Sequence, residues 1–261
     1  MTIITLTTDL GTSDSHLASL KGSIYSQLEN VKIIDISNNI EPFNILEAAY
    51  VLRDCFKDFP SGTVHIVSVD DELSITNEHL AIEAHGHYFI GADNGFFSLL
   101  FNEIKPDKIV QLNISLISNC LTFAAKNIFV PAACHIARGG TMEIIGTPKE
   151  DFKVKRTELK AVLQTDMIRG SVVYIDGYGN AITNISRNEF DNTKKGRSFT
   201  ILFGRENEMI TEISEKYKDV TSSEKLALFG QNNQLQIAIN KGQASKLLGL
   251  KLHEIVRIEF K

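Results

Sequence analysis

The chain has 261 residues, 43% of them hydrophobic and 23% charged, with a formal net charge of −5. That composition is globular and long enough for one large or two modest domains, and an acidic balance without a long basic run speaks against a nucleic-acid partner. No apolar run reaches the roughly 20 residues a membrane span needs, and "MTIITLTTDLGT" at the start lacks a basic leader and a cleavage site, so it reads as a strand rather than a signal peptide.

In chain order, "TIITLTT" (2–8) is rich in β-branched residues and predicts a strand that ends at Asp9 and Gly11. Leu17, Leu20, Ile24 and Leu28 recur at helical spacing and predict a helix from about Ser15 to Leu28. "VKIIDIS" (31–37) is the next strand, and "NILEAAYVLRDCF" (44–56) the next helix, with Asn44 placed to cap it. "TVHIVSVD" (63–70) is an apolar strand that stops at acidic residues, and "LAIEAHGHYFIGA" reads as two short strands around a turn at Gly86. "NGFFSLLFNE" and "NIFVPAACHIARGG" predict further helices, the second ending at paired glycines. Strands alternating with helices imply an α/β N-terminal domain, residues 1–150, with a mainly parallel sheet covered on both faces. Ligands of such sheets bind beyond the carboxyl ends of the strands, where Asp9 and Asp70 fall.

After about residue 155 the pattern changes. "KAVLQT", "GSVVYID", "NAITNIS", "SFTILFG", "KLALFG", "QLQIAIN" and "HEIVRIEF" are short strands parted by turn residues, with little helix between them. They predict a smaller all-β, barrel-like C-terminal domain over residues 151–261. The polar stretch "GTPKEDFKVKRTE" (146–158) reads as the linker. Cys55, Cys120 and Cys134 are odd in number and lack CxxC spacing, which predicts reduced thiols in a cytoplasmic protein.

Phosphate-cradling motifs of the GxxxxGK[ST] and GxGxxG kinds are missing, and no serine lies in a GxSxG context. His85 and His87, with Glu83, put metal-ligating side chains close together, but a hairpin tip at Gly86 would splay them, so no metal site is expected. In "TTDLGTSD" (7–14), Asp14 reads either as a ligand or as the cap of the following helix. Asp9 at the strand end is placed to accept both hydrogens of a ribose diol. Asp70 has two readings, a site carboxylate or a solvated loop residue. "YIDGYGNAITNIS" (174–186) gathers Asp176, Tyr178, Gly179 and Asn180 at one turn, either an ordinary hairpin or a carboxylate, an amide and a ring aimed in one direction.

Seven blocks, among them "ITLTTDLGTSDSHLASLKGSI", "FPSGTVHIVSVD", "LTFAAKNIFVPAACHIARG" and "IDGYGNAITNI", occur in the order and spacing of one family. Over nearly its whole length the chain resembles the S-adenosylmethionine (SAM) hydroxide adenosyltransferases, relatives of the SAM-dependent chlorinase and fluorinase. The resemblance implies SAM as the substrate without a separate cofactor, and a homotrimer with the site between subunits. By position, it implies that Asp9 holds the ribose hydroxyls and that Phe43 packs on the ribose. Asp176 would face the methionine amino group, Tyr178 would stack on adenine and Asn180 would read its edge. Asp70 matches the aspartate of a catalytic aspartate, arginine and histidine set.

The chain departs from that set. "DELSITNEHL" puts Asn77 at the arginine position, and "TFAAKN" puts Ala124 at the histidine position. The turn that meets the methionine carboxylate is replaced by "GQNNQ" (230–234), where Gln231 or Asn232 offers donors. Attack of water on the ribose C5′ expels neutral methionine and needs no general acid, so a placed nucleophile and a proton acceptor suffice. Loss of an acid–base partner costs about 10²–10⁴ in rate, which predicts a slow hydrolase unless Lys126 or His79 compensates. The alternative is a non-catalytic binding protein for SAM or adenosine on the same scaffold.

Overall fold

The computed structural model describes residues 2–101, 104–114, 122–155, 160–204 and 208–261. Cys120 and part of the expected linker, 156–158, lie outside them. The chain divides into two compact units, Met1–Lys155 and Arg156–Lys261.

The N-terminal unit runs β1 (Thr2–Thr8), α1 (Ser15–Tyr25), β2 (Val31–Ser37), α2 (Ile45–Cys55), β3 (Val64–Ser68), β4 (His79–Ala84), β5 (His87–Ala92), α3 (Phe96–Phe101) and β6 (Lys108–Leu112). A π-helical turn (Ala125–Phe129) then leads into α4 (Val130–Ala137), α5 (Met142–Ile145) and β7 (Gly146–Pro148). The seven strands are ordered β2-β1-β3-β5-β4-β6-β7. The pairings of β1 with β2 and β3, and of β3 with β5, are parallel. Those of β4 with β5 and β6, and of β6 with β7, are antiparallel. All strands but β4 and β7 therefore run the same way, a mainly parallel sheet. Alternation of side chains along each strand sends Ile4, Leu6, Val64 and Ile66 to the face covered by α1 and α4. The opposite face carries His65 and Phe89, whose rings meet Phe56, with Phe101 of α3 against Phe89.

The helix expected to reach Leu28 stops at Tyr25: the Gln27 and Leu28 N–H groups both close on the Ile24 carbonyl at 3.0 Å, so the last turn tightens and the regular ladder ends. Asn44 caps α2 as expected, accepting from the Glu47 N–H. The polar stretch read as a linker begins as strand: β7 pairs with β6, and the Lys153 N–H donates to the Asp93 carboxylate at 2.8 Å. Polar residues are compatible with an edge strand, and composition alone does not separate that from a loop.

The C-terminal unit runs β8 (Val162–Leu163), β9 (Met167–Ile175), β10 (Ala181–Ser186), α6 (Arg187–Lys194), β11 (Phe199–Phe203), β12 (Glu208–Ile210), β13 (Lys225–Phe229), β14 (Gln234–Ile239), α7 (Ala244–Leu247) and β15 (Ile255–Phe260). Its antiparallel order is β12-β11-β15-β9-β10-β14-β13, with β8 added on β9. Ile213, just after β12, bridges to Ala227 on β13, so the sheet nearly closes on itself around Ile168, Val172, Ile185, Ile201, Ile237 and Ile258. Helix α6 was not expected here. A capping box starts it, Ser186 accepting from the Glu189 N–H while Glu189 accepts from the Ser186 N–H, and the S-x-x-E spacing that encodes it is present in "SRNE".

Candidate functional site

In the N-terminal unit, β1 and β3 end side by side and release two acidic loops. The Asp9 N–H donates to the Ser68 carbonyl at 3.2 Å, and Thr8 Oγ1 donates to Asn38 Oδ1 at 2.9 Å, fixing where the first loop leaves the sheet. Asp9 Oδ2 accepts from the Phe43 N–H at 3.0 Å, so two expected site residues 34 positions apart are joined directly. Phe43 is 73% exposed and sits at φ 66°, a ring left uncovered on a strained backbone. Asp70 is also left-handed, at φ 49°. Such backbone costs about 1–3 kcal/mol per residue and persists only where surrounding bonds enforce it. For Asp70 they are identifiable. Asn94 Nδ2 donates to the Val69 and Asp70 carbonyls, both at 3.0 Å. Asn77 Nδ2 donates to the carbonyls of Asp70 at 3.2 Å and Glu72 at 2.9 Å. A cavity of about 530 Å³ opens over this loop, lined by Asp70, Ser74, Asn77, Asn94 and Lys153 among others.

The next residue, Asp71, went unassigned in the sequence reading. Its Oδ2 accepts from Ser68 Oγ at 2.7 Å. Burial pushes its carboxyl pKa up, against the Ser68 hydrogen bond, and the negative charges of Asp9 and Asp70 push it further. Asp14 is seen as the cap of α1, accepting from the His16 N–H at 2.9 Å.

The two groups expected to compensate, Lys126 and His79, are otherwise engaged. Lys126 Nζ donates to Ser19 Oγ at 2.9 Å. His79 is 2% exposed, bonds the Asp71 carbonyl through Nε2 at 2.8 Å and meets the Phe129 ring edge-on. Burial lowers its pKa, which keeps the imidazole neutral, and Nδ1 has no partner among the described residues. Ala124 and Ala125 are buried in the apolar cluster with Leu20, Ile24 and Phe129. His87 turns inward to His65, Nδ1 to Nε2 at 3.2 Å, while His85 occupies the turn at φ 53°. Among the described residues no group of three or more His, Cys, Asp or Glu is placed to hold a metal ion.

In the C-terminal unit the turn between β9 and β10 is built on Asp176. Its Oδ1 accepts from the Tyr178 and Asn180 N–H groups, each at 2.9 Å, and its Oδ2 accepts from Asn180 Nδ2 at 2.8 Å. Three of about four carboxylate acceptor sites are thus used within the turn, which leaves one for a ligand. Gly179 stands at φ 81°, and a Cβ there would lie 2.9 Å from the Gln243 Cβ, so glycine is required twice over. Tyr178 is 81% exposed beside a cavity of about 570 Å³ that Asn180, Tyr217, Ile239, Lys241 and Gln243 also line. Asn180 Nδ2 also reaches Tyr217 Oη at 3.4 Å, and the phenol donates to Gln236 Oε1 at 3.3 Å. Burial, then the negative charge of Asp176, pushes the Tyr217 pKa up. Tyr217 is a second ring at the site that the sequence reading missed, because "SEKYKDV" has no periodicity or motif to mark it. The "GQNNQ" segment forms the β13–β14 turn, where Asn232 Oδ1 accepts from the Gln234 N–H.

Comparison with known proteins bears on both units. The model of the SAM hydroxide adenosyltransferase N-terminal domain matches residues 4–146, and that of the C-terminal domain matches 170–257. A protein of Methanocaldococcus jannaschii named (R)-S-adenosyl-L-methionine hydrolase is 31% identical over 192 residues, 72% of this chain and 68% of that one. A protein of the same name from Thermus thermophilus is 25% identical over 261 residues, covering 96% of each chain. The crystal structure of an uncharacterized conserved protein from Thermotoga maritima superposes with a TM-score of 0.88 at 26% identity, over 98% of this chain and 99% of that one. With both units matched in order along the chain, this protein belongs to the SAM hydroxide adenosyltransferase family.

Proposed function

We propose that the protein binds SAM and cleaves it with water at the ribose C5′, giving adenosine and methionine. The supporting observation is the direct bond from the Phe43 N–H to the Asp9 carboxylate at the end of β1, beside the Asp70 loop at the end of β3. In this reading Asp9 holds the ribose diol, Phe43 covers the sugar and Asp70 is the catalytic carboxylate. Asp176, Tyr178 and Asn180 bind the amino-acid and adenine ends. Asn180 has its amide donors engaged by Asp176 and Tyr217, which leaves its Oδ1 to accept from the exocyclic amine of the base. Turnover is slow, since Asn77 and Ala124 supply neither a cation nor a base. We further propose a cytoplasmic homotrimer with the site between subunits, using no separate cofactor. Among the described residues no helix is long and apolar enough to cross a membrane.

The burial of Ala124 favours a second reading, a SAM- or adenosine-binding protein without turnover. A single-turnover incubation of excess protein with SAM separates the two. Adenosine and methionine released above a protein-free blank, and lost in Asp70→Asn, support cleavage. Intact SAM retained by the protein with no adenosine supports binding alone. Neither release nor retention refutes both.

A further inference from the structure

Three acidic residues, Asp9, Asp70 and Asp71, follow the adjacent ends of β1 and β3. Ser68 ties them together, its carbonyl accepting from the Asp9 N–H and its hydroxyl donating to the Asp71 carboxylate, with Asp70 adjacent in the chain. Among the described residues none of the three is ion-paired. The charges that act on Asp71 are those of Asp9 and Asp70, both negative. The basic side chains nearby do not relieve it. His79 faces the Asp71 carbonyl as a buried neutral ring, and Lys126 bonds Ser19. Lys153 lines the cavity over Asp70 together with Glu72. A partly desolvated carboxylate among like charges is unfavourable until a cation arrives.

The family match supplies such a cation independently of these charges. SAM differs from its demethylated thioether, S-adenosylhomocysteine, by one methyl group and one permanent positive charge on sulfur. The two share the same adenosine, α-amino and carboxylate groups.

Resting on the adenosyl reading of this site, we propose that Asp71 is a specificity-determining residue: its carboxylate, grouped with Asp9 and Asp70, makes the site select the sulfonium over the neutral thioether. The selectivity is electrostatic and does not depend on contact. It also favours release of products, because attack of water forms the C5′–O bond and breaks the C5′–S bond, leaving a neutral thioether and a neutral nucleoside while the positive charge departs as the proton lost from water to solvent.

The test is calorimetric titration of the full chain with SAM and, separately, with S-adenosylhomocysteine, with intact SAM quantified after each run. The ratio of the two affinities reports the sulfonium and its methyl group, since the shared groups cancel, and comparing that ratio between wild type and Asp71→Asn removes the methyl's share. Wild-type protein prefers SAM, and Asp71→Asn reduces that preference by about tenfold, the scale of one unit of coupling between neighbouring charges, while thioether binding is kept. A second measurement needs no variant. As the pH falls through the raised pKa of Asp71, its carboxyl takes up a proton and the wild-type preference declines. Equal preference in wild type and Asp71→Asn, or a wild-type preference that does not change with pH, overturns the proposal while leaving the adenosyl reading intact. Wild-type protein that binds neither ligand overturns both.

Discussion

His65 makes the stability of the N-terminal unit depend on pH. Its ring is fully buried, stacked on Phe89 at 4.8 Å, with Phe56 and Phe59 against its edges. Thr5 Oγ1 meets Nδ1 at 2.7 Å and His87 Nδ1 meets Nε2 at 3.2 Å, so the neutral imidazole is satisfied and a proton has nowhere favourable to go. Burial first, then the neighbouring His87, lowers its pKa from 6.5 to about 3. The sign follows from linkage. In the unfolded chain His65 takes up a proton below its ordinary pKa, while in the folded chain it resists until about pH 3. Stability is therefore complete above the ordinary pKa and falls with acid at about 1.4 kcal/mol per pH unit. From pH 7.5 to about pH 5 the loss is about 2 kcal/mol, a large part of the 5–15 kcal/mol typical of a domain. Burial also lowers the His87 pKa, which adds in the same direction. The assay is urea unfolding of wild type and His65→Gln at both pH values. Glutamine retains a donor and an acceptor but does not titrate. The acid-induced loss should shrink by about 2 kcal/mol in the variant. Equal losses in the two proteins would show that His65 is not the group that resists protonation.

Two further substitutions test particular contacts. Gly179→Ala places a side chain at φ 81° against Gln243, so unfolding should show a loss of at least about 1–2 kcal/mol, and SAM affinity should fall as Tyr178 and Asn180 are displaced; unchanged affinity would detach this turn from the site. Ala124→His adds an imidazole in a position packed among apolar side chains, and overpacking should cost about 1–3 kcal/mol in unfolding free energy without raising adenosine production; a faster enzyme would show that the loop reopens toward the substrate.

Much of this protein was legible in one dimension. The period-two and period-3.6 patterns of apolar residues set β1 to β5 and α1 to α4, because each element must bury one face whatever its neighbours are. The switch from alternating strands and helices to successive strands marked a second kind of architecture. Asp9, Asp70 and Asp176 were visible because acidic residues at strand ends and turns are local features. The capping box that starts α6 was equally local and was overlooked. What sequence spacing did not contain were relations between residues far apart in the chain. The bond from Phe43 to Asp9, the clamp of Asn94 on the Asp70 loop, the turning of His87 toward His65 rather than outward, and Tyr217 beside Asn180 arise only when separate segments are packed together. The same holds for Asp71, whose burial and charged neighbours are set by β1 ending beside β3. Local pattern fixes which face of an element is apolar, whereas the partner of a polar group depends on which distant segment the closed core brings within hydrogen-bonding distance.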